Sequence, residues 1–218
     1  MNTRTKKLTT IAMLAALAYA VMAVGRLPIS TVSFLQYDPK DIVIVIGGFI
    51  YGPLTSFLIS AVVSLVEMFT VSDTGIIGFI MNVLSTCGFA CTAAFIYKKK
   101  HNLAGALTGL IAGCLVMAAL MLLWNYLITP IYMGYPREVV TEMLLPVFLP
   151  FNLLKGGLNA GATLILYKPV VAALRKSRLI APSSGDGVKK KVLAGTILIG
   201  CVLIASCVLL VLVTLGIL

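Results

Sequence analysis

The chain has little charge, and least of all negative charge. Asp, Glu, Lys and Arg make up 11% of its 218 residues, with 7 acidic against 17 basic; a soluble domain carries about 25% charged residues. It has one histidine, His101, set in the basic stretch 98–102, so no histidine-based catalytic pair can form in an apolar interior. It lacks a Gly-rich loop closed by Lys-Ser or Lys-Thr, so it has no means of its own to draw on ATP. Five cysteines lie in apolar segments and none has zinc-like spacing with His101; they read as small core residues. Neither an internal repeat nor the inverted halves of many secondary transporters is visible.

Apolar sequence fills the place of charge. The chain is 60% hydrophobic with a mean hydropathy of +1.08, which predicts an all-α integral membrane protein. Apolar spans are expected at 8–24, 54–71, 75–97, 103–129 and 144–171, and a further apolar run fills 192–218. The stretch 41–51 is short: it either crosses obliquely or reaches part way before Gly52-Pro53 breaks it. Polar loops are expected at 25–40 and 130–143, and a basic hydrophilic linker at 177–191. These divide the chain into a six-helix membrane domain (1–176), the linker, and an additional transmembrane helix (192–218). The basic N-terminus followed by an apolar run is read as a first span rather than a cleaved signal.

The net charge of +10 does not point to nucleic acid, because the basic residues sit beside apolar runs as topology signals do. With the N-terminus inside, 13 of the 17 lysines and arginines fall in inside segments, against Arg26, Lys40 and Arg137 outside and Lys155 within a span. The expected location is the plasma membrane, multi-pass, with a cytoplasmic N-terminus.

Lys155 is the most informative residue. It lies near the middle of the otherwise uncharged run 144–167, and a lysine at the bilayer centre costs about 3 kcal/mol on insertion scales. Its surroundings read FNLLKGGLN, and at 100° per residue Asn152, Lys155 and Asn159 share one narrow helix face. Other unusual residues, most of them polar, gather toward the same outer level: Phe34, Tyr37, Asp38 and Asp41 from the first loop, Glu67, Thr74 and Gly75 around the third-to-fourth turn, then Asn82 and Asn125. Buried amides need partners, so the group implies either a polar ligand or interhelical hydrogen bonding. Glu67 is read as a residue at the watery outer edge, with an ion pair to Lys155 as the alternative. Trp124 and Tyr126 are read as interface-belt aromatics. Ala12, Ala16 and Ala20 form a small-residue stripe on the first span, suited to close helix approach. The stripe serves either internal packing or docking of a partner membrane subunit. Gly157 and Gly161 make a second such stripe, read as internal packing.

Four stretches carry a family resemblance: FLQYDPKDIVIVIGGFIYGP (34–53), EMFTVSDTGIIGFIMNVLS (67–85), WNYLITPIY (124–132), and LPFNLLKGGLN (149–159) with LYKP (166–169). Over about residues 8–176 the chain resembles the substrate-binding S components of energy-coupling factor (ECF) vitamin transporters, and most closely the riboflavin-specific members. The resemblance implies six helices enclosing a vitamin near the outer face, capped by the first loop. It implies hydrogen bonding to riboflavin, or to its phosphate FMN, from Asn125, Asn152 and Lys155. It implies that Ala12, Ala16 and Ala20 dock on a transmembrane coupling subunit driven by two ATPase subunits. Members of the family usually end after the sixth helix, and this chain continues. An S component for another vitamin, a structural membrane subunit and an intramembrane enzyme are the rival readings, the last lacking a catalytic pair. No cofactor or metal is expected.

Overall fold

The computed structural model describes residues 3–28, 35–72, 74–180 and 190–214. Phe34 and most of the hydrophilic linker therefore lie outside the described residues. The elements in order are α1 (Thr3–Gly25), β1 (Leu27–Pro28), β2 (Gln36–Tyr37), α2 (Lys40–Tyr51), α3 (Pro53–Thr70), α4 (Gly75–Lys99), α5 (Leu103–Met133), α6 (Arg137–Met143), a π-helical turn (Leu144–Phe148), α7 (Leu149–Lys176) and α8 (Lys190–Thr214). Five helical stretches are long and apolar enough to cross a bilayer: Arg4–Gly25, Pro53–Thr70, Gly75–Lys99, Leu103–Met133 and Arg137–Lys176. Within α8 the apolar stretch is Ala194–Leu209.

Helix α2 occupies the middle of the bundle. Its 12 residues rise only about 18 Å at 1.5 Å per residue, too short to cross upright. Every residue from Lys40 to Phe49 is buried, because α1, α3, α4 and α7 all pack around it. A helix end enclosed by other helices can carry charge when that charge is paired, and this one starts Lys40-Asp41. Lys40 is fully buried, which corrects its reading as an outside topology signal. Gly48 lets α2 close against α3 and α4, since a Cβ there would overlap Ser56 Oγ and Ala94 Cβ. Gly52, at φ 97° in the left-handed half of the map, makes the turn that Pro53 follows.

The polar loop expected at 130–143 is largely helical. α5 runs through Pro130 to Met133 and stops at Gly134 in the left-handed conformation. α6 then leads through the π turn directly into α7. Pro146 and Pro150 both lack an N–H, so the α ladder cannot run unbroken through this turn. The Leu149 N–H reaches back to Leu144 O instead.

α8 packs against α7. A Cβ on Gly161 would stand 2.9 Å from Gly200 O, and one on Gly157 would stand 2.7 Å from Cys207 Sγ. The Gly157/Gly161 stripe is thus the seat of α8. Ala12, Ala16 and Ala20 are exposed, whereas Leu14, Ala15, Ala18 and Met22 on the other side of α1 are buried. The alanine stripe therefore does not pack into this chain's own core.

Candidate functional site

A cavity of about 580 Å³ opens among α4, α5 and α7 beside the connection between α1 and α2. Such a volume suits a small organic molecule. Each helix contributes a stripe at helical spacing. From α4 come Gly78, Met81, Asn82 and Ser85; from α5, Met121, Trp124, Asn125, Thr129 and Tyr132; from α7, Phe151, Asn152 and Lys155. Arg26 from the α1–β1 junction, Leu35 just before β2 and Asp38 just after it also line the cavity. The walls pair flat or flexible apolar groups with amide, hydroxyl and ammonium groups.

The amides are anchored locally. Asn125 Nδ2 donates to Met121 O at 2.7 Å while its Oδ1 accepts from Thr129 Oγ1 at 2.8 Å. Asn152 Nδ2 donates to Phe148 O at 2.7 Å, the last carbonyl of the π turn, so the irregular turn sets this side chain's direction. Among the described residues Asn82 and Trp124 make no side-chain hydrogen bond, so the Asn82 amide and the indole N–H are open to the cavity.

Two ion networks underlie the cavity. In the first, Asp41 is the hub. Its Oδ1 accepts from Thr86 Oγ1 at 2.7 Å, its Oδ2 accepts from Asn159 Nδ2 at 3.3 Å, and Lys155 Nζ stands 3.8 Å from Oδ2. Asn159 Oδ1 in turn accepts from the Tyr37 hydroxyl at 2.9 Å. Burial, then the Asp41 and Asp38 carboxylates, push the Tyr37 phenol above its ordinary pKa, so Tyr37 remains a donor at any physiological pH. Asp41 also sits in the first turn of α2, where the helix dipole favours a carboxylate.

In the second network Arg26, Asp38, Lys40 and Glu67 alternate in sign. Arg26 Nη2 donates to Glu67 Oε1 at 2.8 Å, and Arg26 Nε lies 3.1 Å from Asp38 Oδ1 as a charge contact. Lys40 Nζ bonds Glu67 Oε2 and stands 3.6 Å from Asp38 Oδ2. Glu67 and Lys40 are completely buried. Three cations and three carboxylates across both networks leave no net charge.

The structure brings Asn82, Asn125, Asn152 and Lys155 together at one cavity. Asn159 and Tyr37 sit behind Lys155 in the Asp41 network rather than at the wall. Gly75 starts α4 with φ 55° and is exposed, off the cavity lining. Glu67 corrects the expectation of a watery edge residue: it is buried, and its partners are Arg26 and Lys40 rather than Lys155. Trp124 lines the cavity, against its reading as a belt aromatic, while Tyr126 is exposed with Arg137 over its ring. Residues not singled out beforehand include Phe151, Thr129 and Met81. Their signal was spacing: each lies one residue from, or one turn away from, an asparagine already identified.

Residues 6–167 match the family described as ECF transporter, substrate-specific component. The Riboflavin transporter RibU of Staphylococcus aureus (strain TCH60) is 27% identical over 179 residues, covering 78% of this chain and 93% of the relative. The Riboflavin transporter FmnP of Bacillus subtilis (strain 168) is 27% identical over 162 residues, covering 70% and 85%. A solved structure described as the S component of a bacterial ECF transporter superposes with a TM-score of 0.68 at 27% identity, covering 78% of this chain and 98% of that one. α8 lies beyond the residues matched to the family. The chain belongs to the substrate-specific components of ECF transporters.

Proposed function

We propose that the chain captures riboflavin from outside the cell and presents it for uptake powered by partner subunits. The observation that carries this is the cavity itself: the amides of Asn82, Asn125 and Asn152 and the Lys155 ammonium line it together with the apolar side chains of Trp124, Phe151 and Met81. A flavin's uracil-like edge needs amides, its ring faces need apolar walls, and its ribityl chain needs polar groups. Relatives named as riboflavin transporters support the choice of vitamin.

The exposed Ala12/Ala16/Ala20 stripe is the docking face for a transmembrane coupling subunit, itself driven by two ATPase subunits. The N-terminus is cytoplasmic. Charge supports this orientation: Arg26 and Lys40 are held in the buried ion network, so of the outer-side cations only Arg137 stands outside it. That sharpens the excess of lysine and arginine on the inner side. Protein purified from riboflavin-fed cells should carry a yellow, fluorescent ligand that denaturation releases as riboflavin. A colourless, well-folded preparation that takes up no flavin on addition would refute the reading.

A further inference from the structure

We infer that this cavity takes the uncharged vitamin and discriminates against its phosphate ester, with Asp38 as the discriminating residue. The inference rests on the riboflavin reading and concerns charge. A phosphomonoester brings a charge near −2 at neutral pH and needs a cation with no other commitment. Among the described residues, two cations line the cavity, Arg26 and Lys155. Arg26 is held by two carboxylates, Glu67 at 2.8 Å and Asp38 at 3.1 Å. Lys155 stands 3.8 Å from Asp41 and is, among the described residues, the one cation paired with it. Lys40, behind the wall and fully buried, is likewise shared by Asp38 and Glu67.

The networks are neutral before any ligand arrives. A phosphate entering here must either pull a cation from a buried carboxylate or remain unpaired, and it meets Asp38 at the wall. Both outcomes are unfavourable in a weakly polarisable interior. Thr74, Ile77 and Gly78 at the start of α4 also line the cavity. There the Thr74 N–H is already directed at Ser72 Oγ, at 3.3 Å. A neutral ligand with many hydroxyls loses nothing by this arrangement, since Asn82, Asn125 and Asn152 serve it without charge.

The test is a paired titration of the full-length protein in detergent with riboflavin and with riboflavin 5′-phosphate, following flavin fluorescence. Riboflavin should bind at least about tenfold more tightly than the phosphate. In Asp38→Asn the second network gains one uncompensated positive charge, so the affinity ratio should narrow toward one. Equal affinities in the unmodified protein would overturn the inference while leaving the riboflavin reading intact. An unmodified protein that binds neither flavin would overturn both. If Asp38→Asn does not fold, the comparison in the unmodified protein still decides. A ratio in a folded Asp38→Asn that stays at the unmodified value would remove Asp38 from the account.

Discussion

Lys155 Nζ stands 3.8 Å from Asp41 Oδ2 and lines the cavity at the same time. One ammonium thus serves a buried carboxylate on α2 and the wall of the site. That explains how a lysine survives in the middle of an apolar span: α2 begins at this level and supplies its counter-charge.

Replacing Lys155 by Met should therefore act twice. Loss of a charged hydrogen-bond donor costs about 1.5–3 kcal/mol of binding, or roughly 10- to 150-fold in riboflavin affinity. Asp41 is also left as an uncompensated buried charge, a loss of about 3–5 kcal/mol in comparable pairs, so the yield of folded protein should fall. Lys155→Met with Asp41→Asn should recover yield but not affinity. Fluorescence titration and detergent melting curves on both variants separate the two effects.

Glu67→Gln tests the second network. Glu67 does not line the cavity, yet it balances Arg26 and Lys40 from the end of α3. Its loss should lower the melting temperature markedly, with saturating riboflavin restoring part of it by mass action. An unchanged melting temperature would mean that the network contributes nothing to the fold.

Ala16→Leu adds bulk to an exposed face of α1. Riboflavin binding by the isolated chain should be unchanged within error, and melting likewise, because nothing in this chain's core is displaced. Uptake in cells supplying the coupling and ATPase subunits should fail. Normal uptake would remove the docking role from the stripe.

Truncation after Lys176 removes α8, which seats on Gly157 and Gly161 away from the cavity lining. Affinity should stay within about threefold, less than 1 kcal/mol. Melting should shift downward, since the α7 face that α8 covers becomes exposed. A large loss of affinity in a folded truncate would place α8 in the site.

The all-helical membrane character was legible in the chain because hydropathy over 20-residue windows is a local property, and Lys155 stood out because it breaks one such window. The pairings were not legible. Asp41 and Lys155 are 114 positions apart, and Arg26 and Glu67 are 41 apart; no local pattern distinguishes a lysine that marks topology, as Lys40 was read, from one that ends a buried half-length helix. Trp124 was misplaced for a similar reason. An indole near the end of a span serves a lipid interface or a cavity equally well, and only the packing of α4, α5 and α7 decides. The α6–π turn–α7 junction hid behind polar composition, since Arg137, Glu138 and Glu142 suit an exposed short helix as well as a loop.

Trp124 also provides the most direct test. It is the chain's single tryptophan and it lines the cavity, so its emission reports on that site alone. Titrating riboflavin into the purified protein should quench Trp124 and flavin fluorescence together, both saturating at one flavin per chain. Trp124→Phe should abolish the tryptophan signal while flavin quenching persists, weakened or not. Flavin binding that leaves Trp124 emission untouched would contradict the location of the site, and absence of any quenching would contradict riboflavin capture itself.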